Sequence, residues 1–253
     1  MSNPVFYAAD MSGAVFTASL AADAVYPLDN LHTNVPALPW KSSALTNGQT
    51  LNIDLGSAWA CDFVALGAHN LLSMGNVKLQ VGTIDNGAFA TPIDVAVLNG
   101  LAVSPGVVTF ASVTKRYWRI LFTDTNYVTP QIGLLLLGSK FATPFPYDSD
   151  SAIGNKQFST SSKLDMYGTI RTSRQIPGRE RMEVTFTLVD DATVTAFLAF
   201  MNIVQGQWNP FFFVDHKGTL HIMHFEEDYI EAKSVRYNIN DIARLKMRHQ
   251  NAG

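Results

Sequence analysis

Residues Leu51–Leu71 read LNIDLGSAWACDFVALGAHNL, and the reading of this stretch decides the fold. Leu51, Ile53 and Leu55 share one face and Asn52 and Asp54 the other, the period-2 pattern of a half-buried strand. An almost wholly apolar run follows, and the stretch ends on His69-Asn70. It is strand framework whose end is either a ligand rim or a turn in which Asn tolerates a positive φ. The pattern recurs outward from it. Val77, Leu79 and Val81 alternate with Lys78 and Gln80, and Ile93, Val95 and Val97 repeat the theme. In RYWRILFT, Trp118, Ile120 and Phe122 point one way, with Tyr117, Arg119 and Leu121 opposite. The apolar run QIGLLLLG suits a strand covered on both faces. Short strands punctuated by Gly, Asn and Pro, with no amphipathic helix, predict a β-sandwich or jelly roll.

The second half changes period. RMEVTFTL alternates, with Met182, Val184, Phe186 and Leu188 inward. Asp190 or Asp191 then caps a helix whose apolar positions are Val194, Phe197, Leu198, Met201 and Val204, with Gly206 at its end. Strands resume at NPFFFVD and TLHIMHF and close with ARLKMRH, where Ala243, Leu245 and Met247 face inward. Strands, one helix, then strands is an α+β order. The expected class is mainly β: an N-terminal sandwich followed by a β-rich α+β domain with one helix.

Charge marks the division. Residues 1–146 hold six Lys/Arg, eight Asp and no Glu; residues 147–253 hold twelve Lys/Arg and thirteen Asp/Glu, including all five Glu. Between them lies TPFPYDSDSAIGN, a linker composition, so the domains are expected at 1–146 and 147–253, meeting near Pro146. The 253-residue chain is 47% hydrophobic and only 15% charged, which suits surface hidden in an assembly. A net charge of −3 gives no basic footprint for nucleic acid. The single cysteine, Cys61, sits in an apolar stretch as a buried, inert thiol. The first residues have neither the basic nor the apolar segment of a signal peptide, and no run of about 18 apolar residues predicts membrane insertion.

YPLDNLHTNVPALPW (Tyr26–Trp40), the IDLG of Ile53–Gly56 and RYWRILFTD (Arg116–Asp124) together resemble discoidin-type, galactose-binding-like jelly rolls over about residues 15–140. Over about residues 160–250, the strand, the helix ending in Val-x-Gly, the PFFFVD strand and the HKGT turn resemble distal-tail and tail-tip (baseplate) proteins of long-tailed bacteriophages. That second resemblance implies a ring, typically sixfold, joining tail tube to tail-tip hub, in a virion assembled in the host cytoplasm. Here the accessory domain comes first in the chain, a departure from the better-known distal-tail proteins.

Chemistry-bearing residues are sparse. His221 and His224 fall on opposite faces of a strand, with no cysteine beside them, so no metal and no cofactor is expected. Asp62, Asp85 and Asp94 are scattered, and no nucleophile elbow, dinucleotide fingerprint or phosphate loop occurs, so the chain is read as non-enzymatic. Asn30, His32, Trp40, His69 and Asn70 are the candidate ligand residues, because sugars take an aromatic face plus Asn, His or Asp for their hydroxyls. Trp40 reads more readily as a core plug beneath its loop than as a sugar platform. Phe211, Phe212 and Phe213 are the candidate assembly residues: a strand sends them to both faces, so one face packs on the helix and the other needs a second cover, expected from a partner subunit. RTSRQIPGRER (Arg171–Arg181) reads as a hairpin turning at Pro177-Gly178, its arginines pairing with carboxylates of adjacent subunits or contacting an anion. The expected role is a ring-forming component of a phage tail tip whose sandwich either binds host surface polysaccharide or only decorates the ring. The alternative is a carbohydrate-binding adhesin or lectin module outside any phage tail.

Overall fold

The computed structural model describes residues 3–44, 48–85, 88–98, 101, 104–124, 128–143, 152–164, 170–205, 208–226, 231–236 and 239–249. The first half contributes β1 (Val5–Tyr7), β2 (Val15–Ala18), β3 (Trp40–Lys41), β4 (Gln49–Gly67), β5 (Asn76–Asp85), β6 (Ala88–Val97), β7 (Gly106–Asp124), β8 (Gln131–Ile132), β9 (Leu134–Gly138) and β10 (Lys140–Ala142). The second contributes β11 (Ala152–Leu164), β12 (Ile170–Asp190), α1 (Asp191–Val204), β13 (Phe211–Val214), β14 (Leu220–Phe225), β15 (Glu231–Arg236) and β16 (Ile239–His249). The protein is mainly β, as expected.

The opening stretch is one bent strand. In β4, Leu51, Ile53 and Leu55 are buried and the ladder to β7 shifts register between Asp54 and Trp59. Gly56 makes the bend: its φ of +75° is one that side-chain-bearing residues rarely adopt, and its N–H donates to Asp54 Oδ1 at 2.8 Å. Beyond the bend, Phe63–Gly67 pairs with β9. Every residue of β9 is buried, as its apolar run requires. The smaller sheet runs β2-β4-β7-β5-β6. Its outermost strand departs from expectation. Ile93 and Val97 are mostly exposed, while Val95 between them is partly buried against the core of the first half, on an edge strand that pairs only with β5.

The larger sheet runs β10-β1-β13-β14-β16-β12-β11, with β15 added on β16. Two of its strands, β1 and β10, come from the first half. Thr143 ties them by donating both its N–H and its Oγ1 to the Pro4 carbonyl at 3.1 Å. The proposed boundary near Pro146 lies outside the described residues, but the halves on either side of it share this sheet.

Helix α1 covers one face of the larger sheet. Asp190 caps it, its carboxylate accepting from the Thr193 N–H at 2.8 Å. Gln205, at φ 52° and ψ 45°, ends it in the left-handed region; Gly206, the expected stop, lies outside the described residues. Phe197, Phe200, Met201 and Val204 are buried. Leu198 is 47% exposed, so the apolar stripe runs through Phe200 instead. Beneath the helix lie Phe6, Met182, Val184, Phe186, Phe211, Phe213, Met223, Phe225, Leu245 and Met247.

All three phenylalanines of β13 are 0% exposed, which corrects the expectation that Phe211–Phe213 present a face to a partner subunit. Phe211 and Phe213 join the helix-side core, while Phe212 joins the core of the first half with Tyr7 and Ile222. The second cover comes from the same chain. Gly67 permits this approach, since a Cβ there would stand 3.1 Å from Ile222 Cδ1.

The Arg171–Arg181 segment also differs from expectation. Pro177-Gly178 lies within β12 at a register irregularity facing β11, where Gln157 pairs with Arg179 and Ser159 with Ile176. A bulge accepts a proline that a ladder position would not. The β11–β12 ladder instead continues past Pro177-Gly178 to its last described pair, Leu164 with Ile170.

Candidate functional site

The loop end of the sandwich was the expected site, and there Asn30, His69 and Asn70 tie loops together, while the buried Trp40 Nε1 has no hydrogen-bond partner among the described residues. Trp40 is 2% exposed, its ring 6.3 Å from that of Phe122 and its backbone paired with Ile132, so it is the core plug. Asn30 donates Nδ2 to the Pro39 carbonyl at 3.0 Å. His32 stands edge-on to Phe16, with 4.8 Å between ring centres. Asn70 donates to the Thr129 carbonyl at 2.8 Å and accepts from the Gln131 N–H at 2.9 Å, clasping the strand that pairs with Trp40. His69 donates its N–H to Ser104 Oγ at 3.2 Å and accepts at Nδ1 from the Leu71 N–H at 3.3 Å. The positive φ of this turn, 49°, falls on Ala68, and Asn70 sits at φ −115°.

A groove of about 280 Å³ lies elsewhere, on the outer face of the smaller sheet. It is lined by Val15, Thr17, Asn52, Asp54, Ile84, Phe89 and Tyr117, with Ile53 and Trp118 beneath. Register explains how residues far apart in the chain meet. One row across β2, β4, β7 and β5 is Val15, Asp54, Tyr117 and Gly82. The next is Thr17, Asn52, Arg119 and Gln80, continued by Asp94 on β6. Because side chains alternate, both rows follow from burying Leu51, Ile53, Trp118 and Ile120 on the other face.

Gly82 leaves a gap opposite Tyr117 that Phe89 fills; a Cβ there would strike the Phe89 ring and the Ala90 carbonyl. The Arg119 guanidinium lies 4.5 Å from the centre of the Phe89 ring, and that of Arg116 lies 4.9 Å from the Tyr117 ring. Both rings are thus held in place by cations. Arg116 also grips Asp54 through two hydrogen bonds, 2.6 and 2.9 Å, which hold the Asp54 carboxyl below its ordinary pKa. Arg119 donates to Gln80 at 2.6 Å, Gln80 to Asp94 at 2.5 Å and Lys78 to Asp94 at 2.7 Å; the bonds from Gln80 and Lys78 hold Asp94 low as well. Within this ordered frame Asn52 Oδ1 is buried without a hydrogen-bond partner among the described residues. Such an acceptor is costly unless something donates to it. Two aromatic walls flanking an amide, a carboxylate and a hydroxyl suit a ligand with apolar C–H faces and many hydroxyls.

The sequence alternation had placed Asn52, Asp54, Tyr117 and Arg119 on the outer faces of their strands. It did not show that those strands are neighbours, and Phe89, Thr17 and Gly82 carried no mark. Other chemistry is muted. Burial pushes the Cys61 thiol up to about 12, and the nearby Asp62 charge adds to the effect. His221 on β14 approaches Asp215 of the β13–β14 turn at 3.4 Å. Among the described residues no group of three or more metal-ligating side chains converges.

No family model matches the chain, and no curated protein matches it. Solved structures similar to it include carbohydrate-binding modules. One is chitosan-binding module 1 of a chitosanase/glucanase from Paenibacillus sp. IK-5, at 17% identity and a TM-score of 0.43 over 51% of this chain and 98% of that one. Another is the CBM32 of AlyQ in complex with 4,5-unsaturated mannuronic acid, at 23% identity and a TM-score of 0.40 over 52% and 96%. A third is the family 32 module of Clostridium perfringens NanJ in complex with galactose, at 15% identity and a TM-score of 0.39 over 54% and 99%.

Proposed function

We propose that the first half of the chain is a non-catalytic carbohydrate-binding sandwich and that its saccharide lies in the groove between Phe89 and Tyr117. The observation that carries this reading is the meeting of those two cation-backed rings with the Asp54 carboxylate and the Asn52 amide in one groove. A sugar ring stacks its C–H face on an aromatic ring while its hydroxyls donate to the Asp54 carboxylate. The volume, about 280 Å³, is near the lower end of ligand pockets, which suits one end of a glycan rather than a long buried chain. The test is a panel of bacterial surface polysaccharides and oligosaccharides presented to the intact chain. Binding of at least one class is expected; a blank panel that includes neutral, amino and acidic sugars overturns the reading.

A second reading concerns the second half and rests on a separate observation. Beyond Arg181, where the β12–β16 ladder ends, β11 and β12 pair only with each other among the described residues. A two-stranded ribbon is marginal alone in water, so it calls for a partner surface. This supports assembly of copies, and with it the tail-tip ring that the sequence resemblance implies: a hexamer in the virion, contacting tail tube and hub proteins, with the sandwich turned to host polysaccharide. Particle imaging with this chain in a closed ring at the tail tip is the expected result. The same groove on an isolated copy outside any phage particle is what an adhesin or lectin module would show.

A further inference from the structure

We infer that the saccharide is uncharged where it meets the groove and is held there by two adjacent ring hydroxyls, one donating to Asp54 and the other accepting from Arg116. The inference rests on the reading that the groove takes a sugar, and names the group of that sugar it selects.

Hydrogen-bonding capacity points there. An ionised carboxylate offers about four acceptor sites, two on each oxygen, and a guanidinium five N–H donors. Asp54 Oδ1 is filled: it accepts from the Gly56 N–H at 2.8 Å and from Arg116 Nε at 2.6 Å. Oδ2 accepts from Arg116 Nη2 at 2.9 Å, which leaves it one open site among the described residues. These two bonds use two of the five Arg116 donors. An open acceptor and an open donor thus stand side by side, on atoms 2.9 Å apart. Neighbouring hydroxyl oxygens of a sugar ring stand at a similar separation, and each hydroxyl both donates and accepts.

The fold fixes this pair at the groove. Asp54 lines it, and the Arg116 guanidinium stands 4.9 Å from the ring of Tyr117, which lines it too. Asp54 and Tyr117 are Cα partners across β4 and β7. A sugar whose hydroxyls reach Oδ2 and Nη2 is therefore brought beside an aromatic face. The bend at Gly56 supplies the N–H that holds the carboxylate from its other side.

Charge decides the class. Among the described residues lining the groove, Asp54 alone is charged at neutral pH, and Arg116 beside it carries the opposite charge. A ligand carboxylate in this place meets Asp54, and a ligand ammonium meets Arg116. A pair of hydroxyls suits both. Acidic sugars are the rival, since Arg119 and Lys78 lie on the same sheet face. Both of those cations are already engaged, Arg119 with Gln80 and Lys78 with Asp94.

The experiment presents immobilised neutral, amino and acidic bacterial polysaccharides to the full chain. Each is used intact and after periodate cleavage of its vicinal diols followed by borohydride reduction. Wild type, Arg116→Gln and Tyr117→Ala are compared at about 0.1 M and about 1 M salt, where the Debye length falls from about 10 Å to about 3 Å. Circular dichroism confirms each fold; should Arg116→Gln not fold, the periodate comparison on wild type decides. The inference expects a neutral polysaccharide to bind, with little change between the two salt concentrations. That binding should weaken about tenfold or more after periodate and about tenfold in Arg116→Gln. Binding that Tyr117→Ala abolishes but periodate leaves intact overturns the diol contact while the groove reading stands. Binding of acidic or amino polysaccharides alone, weakened by salt, overturns the neutral class. A blank panel, or full binding by Tyr117→Ala, overturns the groove reading and the inference with it.

Discussion

Phe6 and Phe213 are Cα partners in the β1–β13 ladder, and their ring centres lie 4.8 Å apart. A residue from the start of the chain thereby sits in the helix-side core of the second half. Phe6 also meets Phe197 and Phe200 of α1, each at 5.3 Å. Truncation to Phe6→Ala should cost ~3–5 kcal/mol, the usual range for a buried phenylalanine. Thermal unfolding followed in the near ultraviolet should show a large fall in Tm, although position 6 lies far in sequence from α1. An unchanged Tm would mean that β1 does not pack there.

The shared sheet sets the response to cleavage. With a protease site placed at Pro146, the nicked halves should stay together on native gel filtration and separate only in denaturant. The β1–β13 ladder holds them by backbone hydrogen bonds, and Phe212 and Ile222 pack into the first half. Two independently eluting pieces would contradict the shared sheet.

Gly82 and Phe89 make a paired prediction about the groove. Gly82→Ala drives a Cβ into the Phe89 ring and the Ala90 carbonyl, so it should lower both Tm and saccharide affinity. Phe89→Ala removes one wall without a clash, so affinity should fall about tenfold, or ~1.4 kcal/mol, with a smaller change in Tm. Titration calorimetry beside melting curves separates the two outcomes.

Acid should reveal the Asp54–Arg116 pair. The folded pKa of Asp54 is lowered, first by its hydrogen bonds from Arg116. Its contribution is therefore present above the ordinary aspartate value, about 3.9, and is lost as pH falls through the lower folded value. The Tm gap between wild type and Asp54→Asn should be widest near neutral pH and should narrow on acidification. The pair is partly exposed, so the gap is modest and shrinks with salt. A gap that widens in acid would reverse the sign and refute the assignment.

Much of the fold was legible because burial imposes a period. The alternation in LNIDL and RYWRILFT and the Asp190-capped helix are local patterns, and the structure keeps them. The pairing of β1 with β13 was not legible, since nothing in VFY says which strand it joins. The face of β6 was misread because an edge strand need not bury its apolar side, and Ile93 and Val97 stay outside. The groove depends on four strands lying in one order, and its clearest marker, the gap at Gly82, is an absence of atoms. Trp40, His69 and Asn70 drew attention by residue type, yet their neighbours make Trp40 a plug and give the others loop-tying hydrogen bonds.

The central claim is that the saccharide lies on the outer sheet face and not at the loop end. Titration calorimetry with the best glycan from the panel, on wild type, Tyr117→Ala and His69→Ala, tests it most directly. Tyr117 lines the groove beside Asp54, whereas His69 stands at the end of β4 against Ser104 and Leu71. The account predicts that Tyr117→Ala weakens binding about tenfold or more, ~1.4 kcal/mol, while His69→Ala binds as wild type. Full affinity in Tyr117→Ala together with lost affinity in a folded His69→Ala would contradict it and return the site to the loops.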